Sequence, residues 1–368
     1  MNILMISTDE KRANHKGYSD IADKLVFVVS VRGKNEFKRE GNIVTQVVGY
    51  RNIIGKYIKL IIATSRLIKE EKIDIICVDE PFAGLFVGCL LKMRHKVPLS
   101  VFVYATIFEN LYDESLKMIL LTPVAKYLLS FADSVRAMCP KHKKMLVEKA
   151  GLKEERIFVC PPGYKISHFV DNKESARSSY NGFSHVILFV GRFVRQKDLS
   201  TLMKSLRYVK SRFNDILCVM IGSGPEVDDI LLLAKELGID TNVKIIDAIP
   251  NQDLPKYYAA ADLFALSSVR ESLGVVIIEA AASNKPVVTT KTVGAEELVI
   301  DGQTGYVVDI KDHVAFGERI ISLLSDSELA KKMGMMNFEH VSKLGYFTSE
   351  NNLNKVKDMC ERTVACLN

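Results

Sequence analysis

Short apolar runs rich in valine and isoleucine recur along the whole chain, separated by longer segments whose apolar positions follow a helical period. Runs of this length and composition are typical of strands that are buried on both faces of a parallel sheet. The first half contains six predicted strands, at Ile3–Ser7, Lys24–Ser30, Ile73–Val78, Leu99–Tyr104, Ser134–Met138 and Ile157–Cys160. The second half contains six more, at Val186–Val190, Leu217–Ile221, Val243–Ile246, Leu263–Leu266, Pro286–Thr289 and Gly305–Val308.

The segments between these strands predict helices. In one of them the apolar positions share a face from which most of the basic residues are absent: Tyr57, Leu60, Ile61, Thr64, Leu67 and Ile68. Alternation of strands and helices indicates βαβ units and parallel sheets. Two such series predict an α/β protein with two doubly wound, Rossmann-like domains that face a cleft. Doubly wound domains bind ligands beyond the carboxyl ends of their strands, so a ligand is expected in that cleft.

The domain boundary is predicted between Cys160 and Ser184. Pro161-Pro162-Gly163 interrupts the pattern there, and a polar stretch follows before the apolar runs resume. We therefore predict an N-terminal domain over residues 1–165 and a C-terminal domain over residues 166–346. The last segment, residues 347–368, is predicted as a helix that crosses back onto the first domain.

Composition limits the class of protein. The chain has 368 residues, of which 48% are hydrophobic and 26% charged, as in a soluble two-domain protein. Its seven cysteines include no CxxC pair, which predicts a reducing compartment with neither disulfides nor a zinc site. The apolar start Met1–Ile6 lacks the features of a signal peptide, and the run Ala83–Leu91 is too short to span a bilayer. We expect a cytoplasmic protein, or one at the inner face of the membrane.

The net charge of +6 is moderate. A small basic excess suits a protein that handles phosphates, and it is compatible with peripheral contact with an anionic membrane surface. It is too weak to indicate a nucleic-acid partner.

The candidate chemistry of the second half concentrates in the segment that follows the predicted strand Leu263–Leu266. A loop would carry Glu271, and a helix would begin near Ser272, whose side chain can cap it. Gly274 would let a ligand approach the backbone closely. The N–H groups at this helix N-terminus would bind phosphate together with the helix dipole, and they belong to Leu273, Gly274 and Val275.

Two carboxylates flank this helix start. Glu271 would lie at the mouth of the site, where it can accept hydrogen bonds from sugar hydroxyls. Glu279 would lie two turns into an apolar helix, where an unpaired carboxylate is costly, so it needs a partner. A ribose diol would serve as that partner.

The order of these residues resembles a known family. Two glutamates separated by seven residues, with Ser-Leu-Gly after the first and Ala-Ala after the second, resemble the signature of family 4 of the retaining GT-B glycosyltransferases. Three further segments match the family in the same register: Asn284–Val288, where asparagine replaces the usual glycine, Gly294–Val299 and Asp301–Val308. The resemblance implies a GT-B fold whose C-terminal domain binds a nucleoside-diphosphate sugar.

A second block, Gly191-Arg192-Phe193-Val194-Arg195-Gln196-Lys197, follows a predicted strand and resembles the family's "G-R-L-x-x-x-K-G" motif. A basic pair at the carboxyl end of a strand can hold a diphosphate. The resemblance implies Arg192 and Lys197 as ligands of the donor phosphates, with Gly191 beside them, and Ile249 in a loop near the base. Asp198 stands where the family often has glycine.

The N-terminal half matches the family less closely. The family's glycine-rich loop after the first strand is represented only by Gly17, and Tyr104 stands where relatives often carry a histidine. His15 is a further loop candidate on the acceptor side. The chain contains no Asp-x-Asp triplet, so we expect no metal and no cofactor, and the nucleoside-diphosphate sugar acts as a co-substrate.

The resemblance therefore predicts an enzyme that transfers a hexose or N-acetylhexosamine from a UDP- or GDP-sugar to a glycan or lipid-linked acceptor, with retention of anomeric configuration. Glu271, Arg192 and Lys197 would be catalytic, since cations stabilise the departing nucleotide. Two alternatives stay open at this point: a nucleotide-sugar epimerase of the same fold, and a catalytically silent binding subunit.

Overall fold

The computed structural model describes residues 1–7, 16–104, 116–162, 166–172, 174–347 and 349–366. The chain divides into two compact units. The first comprises Met1–Gly163 together with Glu350–Asn368, and the second comprises Tyr164–Ser349. Each unit is built around one sheet with helices, so the predicted class, two doubly wound α/β domains with parallel sheets, is confirmed.

The N-terminal sheet has the strand order β3-β4-β2-β1-β5-β6-β7-β8. Its strands are β1 Asn2–Ser7, β2 Lys24–Arg32, β3 Glu36–Glu40, β4 Ile43–Tyr50, β5 Ile75–Val78, β6 Leu99–Phe102, β7 Ser134–Ala137 and β8 Ile157–Val159. Neighbouring strands pair in parallel except β3, which runs antiparallel to β4. The prediction missed both of these strands. Every residue of β3 is exposed, so this charged edge strand carries no buried apolar run.

Helices cover both faces of this sheet. Those described in the N-terminal unit are α1 Ile53–Glu70, α2 Ala83–His95, α3 Leu116–Leu129, α4 Pro140–Ala150 and the C-terminal α13 Ser349–Ala365. On one face, α2 approaches so closely that a Cβ atom at Gly88 would lie 2.8 Å from Leu99. On the other face, Met359 and Cys360 of α13 join the core formed by Met5 and Cys77.

The C-terminal sheet is entirely parallel, with the order β11-β10-β9-β12-β13-β14. Its strands are β9 His185–Val190, β10 Ile216–Ile221, β11 Val243–Ile246, β12 Leu263–Leu266, β13 Val287–Thr290 and β14 Gly305–Val308. Its helices are α5 Ser167–Val170, α6 Leu199–Lys210, α7 Val227–Glu236, α8 Pro255–Ala260, α9 Val275–Ala282, α10 Val293–Leu298, α11 His313–Ser325 and α12 Ser327–Lys343. All six strands predicted for this half are present.

Candidate active site of the C-terminal unit

The topology of the C-terminal sheet marks one position at its carboxyl edge. Strands β9 and β12 are neighbours, yet the chain leaves β9 towards β10 on one side and leaves β12 towards β13 on the other. The loops that follow two such strands diverge and leave a crevice, which is where doubly wound sheets bind ligands. The two sequence motifs singled out above lie in these two loops.

Glycines let the loops after β9 and β10 pack backbone against backbone. A Cβ atom at Gly222, which has φ +151°, would lie 1.8 Å from the carbonyl oxygen of Gly191. A Cβ atom at Gly224 would lie 2.2 Å from the carbonyl oxygen of Phe193. No side chain can occupy such space, so these two glycines fix the path of the loop that begins at Gly191.

The loops after β9 and β12 are also bonded to each other. The Val269 N–H donates to the carbonyl oxygen of Gln196 at 2.9 Å, and the Gln196 side-chain amide donates to the carbonyl of Arg270 at 2.9 Å. The Ser267 hydroxyl lies 2.9 Å from the carbonyl oxygens of both Lys197 and Asp198. These bonds hold the basic motif and the glutamate motif in one fixed arrangement.

Lys197 and Glu271 form an ion pair across these loops. The Lys197 ammonium donates to the Glu271 carboxylate, and the Ser268 hydroxyl donates to the same Oε1 atom at 3.0 Å. Only 14% of the lysine side chain and 12% of the glutamate side chain are exposed. The structure therefore brings together two residues that the sequence assigned to different parts of the donor, namely its phosphates and its sugar.

Arg192 differs from Lys197 in being exposed. Among the residues that the structure describes, none forms a salt bridge or a hydrogen bond with the Arg192 side chain, and the same holds for the exposed Arg195. Two guanidinium groups at this edge of the sheet are thus available to an anionic ligand. A guanidinium group matches the geometry of phosphate oxygens and can bind two of them at once.

The helix start predicted at Ser272 is wrong. Helix α9 begins at Val275, and its N-cap residue is Gly274, with φ +77° and no side-chain hydrogen bond to the cap. A residue with this left-handed backbone cannot lie inside an α-helix, so the helix cannot start before it. The N–H groups of the first turn accordingly begin at Val275, while Leu273 lies in the preceding loop.

The loop before α9 packs against the first turn of α10. The Gly294 N–H donates to the carbonyl oxygen of Glu271 at 2.8 Å. A Cβ atom at Gly294 would lie 2.5 Å from the Leu273 carbonyl carbon. The glycine of the Gly294–Val299 segment is therefore required for the close backbone contact between α10 and this loop.

Glu279 is buried, with 3% of its surface exposed, and its carboxylate has protein partners. The Tyr258 hydroxyl donates to Oε2 at 2.7 Å, and the Asn251 amide donates to Oε1 at 3.0 Å. Asn251 is bonded in turn to the His168 ring at 2.7 Å. The sequence indicated that this carboxylate needs a partner, but these three residues lie 21 to 111 positions away and no spacing rule identifies them.

The remaining predicted residues belong to other segments of the chain. Ile249 is half-buried in the loop that follows β11. Gly17 belongs to the N-terminal unit, is exposed, and has open space around it, so nothing in its surroundings requires a glycine. Tyr104 receives a hydrogen bond from the buried Arg136 at 3.3 Å. His15 lies outside the described residues.

Within the described part of the chain, no group of three or more His, Cys, Asp or Glu side chains is arranged to hold a metal ion. In the same residues, no helix is long and apolar enough to cross a membrane.

Both halves of the chain match models of known protein families. Residues 171–339 match the family described as "Glycosyl transferases group 1", and residues 25–168 match "Glycosyltransferase Family 4". Over 186 residues the chain is 33% identical to a GDP-mannose-dependent alpha-(1-6)-phosphatidylinositol monomannoside mannosyltransferase of Mycolicibacterium smegmatis. That match covers 48% of this chain and 49% of the relative, so the chain spans about half the length of this curated relative.

Two other comparisons cover more of the chain. The capsular polysaccharide biosynthesis glycosyltransferase CapM of Staphylococcus aureus is 25% identical over 319 residues, which are 84% of this chain and 83% of that protein. The crystal structure of Anabaena Alr3699/HepE in complex with UDP and glucose superimposes with a TM-score of 0.77 at 20% identity, over 97% of this chain and 98% of the other. At this level of identity the structural match establishes the fold. The chain belongs to family 4 of the glycosyltransferases, the group 1 glycosyl transferases.

Proposed function

We propose that the protein is a glycosyltransferase that moves a hexose or N-acetylhexosamine from a nucleoside-diphosphate sugar to a glycan or lipid-linked acceptor, with retention of anomeric configuration. The observation that carries this proposal is the Lys197–Glu271 pair at the topological switch point of the C-terminal sheet. It places a cation and a carboxylate side by side where a phosphate and the attached sugar would lie.

In this proposal the donor phosphates bind Arg192, Lys197 and the N–H groups at the start of α9. Arg192 is exposed and has no partner among the described residues, so it can turn to a phosphate without losing a contact. Cations held at this position stabilise the negative charge that develops on the leaving nucleoside diphosphate. Glu271 orients the sugar through its hydroxyls, and Ser268 and Lys197 hold the carboxylate in place.

Glu279 is proposed to bind the ribose of the donor. Its carboxylate is held by Tyr258 and Asn251, which restrict its rotamer and position its oxygens. A carboxylate accepts several hydrogen bonds at once, so a ribose hydroxyl can add to these two donors. The base is proposed to lie near Ile249.

Named relatives suggest both donor classes. One acts with GDP-mannose, and the HepE structure contains UDP and glucose. We propose a UDP- or GDP-sugar donor and no metal or cofactor. We further propose a lipid-linked or growing-glycan acceptor, which would place the protein in the cytoplasm at the inner face of the membrane.

The experiment has two stages. Calorimetric titration with UDP and GDP, followed by their sugars, identifies the base and then the donor. Release of the nucleoside diphosphate is then followed with candidate lipid-linked acceptors for the wild type and for Arg192→Ala and Glu271→Ala. Each variant is expected to lose about a hundredfold or more in turnover.

The matched control is Arg207→Ala, which removes an exposed arginine on α6 and should leave turnover unchanged. Full turnover by folded Arg192→Ala and Glu271→Ala proteins would refute the assignment. Isomerised donor sugar without any acceptor would identify an epimerase instead. Donor binding without turnover in every acceptor mixture would favour a binding subunit. The anomeric configuration of the product, measured by nuclear magnetic resonance, tests retention.

A further inference from the structure

Three helices on one face of the N-terminal sheet expose an unusual amount of apolar surface. Nine of the seventeen exposed large hydrophobic side chains of the described residues lie on α1–α3 or in the turn after α3. We call these nine residues the α1–α3 surface: Ile53, Ile54, Ile58, Ile62, Phe86, Met93, Val124, Tyr127 and Phe131. Helix α2 packs against both α1 and α3, so these side chains are exposed on adjacent helices. A large exposed apolar surface on a folded domain usually marks an interaction site.

The exposed isoleucines of α1 form a ridge on the side of the helix that faces away from the sheet. Ile54, Ile58 and Ile62 follow each other at intervals of four residues and are 75%, 53% and 64% exposed. Leu60 and Thr64, on the opposite side of the helix, are fully buried. At about 100° per residue, Ile58 and Ile62 each lie about 160° around the helix from Leu60. The isoleucine ridge therefore takes no part in packing α1 against the domain.

The neighbouring helices continue the same surface. Phe86 and Met93 lie two turns apart on α2, with 47% and 63% of their surface exposed. Tyr127 of α3 is 65% exposed and packs edge-on against the Phe131 ring, with centroids 5.2 Å apart. Aromatic side chains of this kind favour the boundary between the headgroups and the acyl chains of a bilayer.

Basic side chains accompany these apolar ones. The sequences of α1, α2 and α3 contain eight lysines and arginines, Lys56, Lys59, Arg66, Lys69, Lys92, Arg94, Lys117 and Lys126, and a single acidic residue, Glu70. Because the whole chain has a net charge of +6, these three helices carry more than its entire basic excess. Arg66 forms a salt bridge with Glu70, and Lys92 forms one with Asp133.

We propose that the α1–α3 surface lies on an anionic lipid bilayer. The isoleucine ridge and the aromatic side chains enter the boundary between headgroups and acyl chains, and the surrounding lysines and arginines bind anionic headgroups. The excess of positive charge favours anionic lipid over a second copy of the same basic surface, because two such surfaces repel each other. This inference specifies the membrane contact of the proposed function and would deliver the site to a lipid-linked acceptor.

The test measures binding of the full chain to vesicles by flotation, without donor or acceptor. We expect binding to vesicles of phosphatidylcholine and phosphatidylglycerol at least about tenfold tighter than to phosphatidylcholine alone, with the preference lost at high salt. The triple variant Ile54→Ser, Ile58→Ser, Ile62→Ser should bind at least about tenfold more weakly, because it removes buried apolar area. The triple variant Lys69→Gln, Arg94→Gln, Lys126→Gln should lose the anionic preference.

The matched control is Leu231→Ser, Leu232→Ser, which removes two exposed leucines from α7 of the other unit and should bind as the wild type does. Equal vesicle binding by the isoleucine variant and the wild type would overturn the proposal, as would absence of binding to anionic vesicles. A dimer that the isoleucine variant abolishes would identify a second copy as the occupant and would also overturn it. Donor turnover measured without vesicles tests the proposed function separately.

Discussion

The Lys197–Glu271 pair allows the sharpest test of the site, through a double-mutant cycle on stability. Lys197→Met leaves the Glu271 carboxylate, on a side chain that is 12% exposed, without its counter-ion, although the Ser268 hydroxyl still donates to Oε1. Glu271→Gln leaves the Lys197 ammonium group, on a side chain that is 14% exposed, without its counter-ion. Removing one partner of a buried ion pair costs about 3–5 kcal/mol. Since both side chains keep some contact with water, we expect each single variant to lose about 2–3 kcal/mol.

The double variant removes both charges and should therefore lose less than the two single losses combined, with a coupling free energy of about 2 kcal/mol. Native-state hydrogen exchange of peptides from β9 and β12 is the suitable assay, because it reports the stability of the C-terminal unit alone. The exposed pair Glu328–Lys331, with side chains 82% and 70% exposed, is the matched control, and its coupling should not exceed about 0.5 kcal/mol. Strict additivity at Lys197 and Glu271 would refute the reasoning.

Three further outcomes follow from single side chains. Tyr258→Phe removes a donor to the buried Glu279 carboxylate, so the C-terminal unit should lose about 1–3 kcal/mol in hydrogen exchange, and the KM for the donor should rise more than kcat falls. Burial lowers the pKa of His142 from 6.5 to about 4, so the unfolded chain binds a proton first as the pH falls. The free energy of unfolding should decrease below pH 6.5, by about 3 kcal/mol at pH 4. In urea titrations, the free energy of unfolding of His142→Asn should depend less on pH than that of the wild type. Asn284→Gly should stabilise the protein by up to about 1 kcal/mol, because glycine adopts the left-handed backbone of this position without strain. Asp198→Gly should gain less. Equal urea midpoints for the wild type and Asn284→Gly would contradict this expectation.

The sequence predicted those strands that are buried on both faces, because a continuous apolar run records burial directly. It missed β3 for the opposite reason, and it missed β4 although Val44, Val47 and Val48 are buried, because Thr45 and Gln46 interrupt the apolar run. All five residues of β3 are exposed, and its glutamates, lysine and arginine read as a loop. An antiparallel edge strand is defined by its pairing with β4, and pairing leaves no mark in the composition of an exposed segment.

The motifs of the candidate site were recognisable, but their contacts were not. Lys197 and Glu271 are 74 positions apart, and their pairing depends on β9 and β12 being neighbours in the sheet. The start of α9 was misplaced because Ser272 is a good capping residue by type, whereas the backbone of Gly274 decides where the helix begins. The sequence predicted that Glu279 needs hydrogen-bond donors, because a buried carboxylate requires them. It did not identify the donors, because the tertiary fold brings them together.

Glycine, or a residue that replaces it, meets two different physical requirements around the candidate site. Asp198 and Asn284 stand where the family motifs that this chain resembles carry glycine. Here φ is +42° and +54°, so the requirement at both positions is a left-handed backbone. Asp and Asn are the residues that tolerate this conformation best after glycine, and Asp198 gains hydrogen bonds from two neighbouring hydroxyls. At Gly222, Gly224 and Gly294, an added Cβ atom would lie within 2.5 Å of backbone atoms, so no side chain fits at all. A residue other than glycine can occupy a left-handed turn without changing its shape, but no side chain can be added where two backbones touch. The contacts at these three glycines therefore fix the loops that carry Arg192, Lys197 and Glu271.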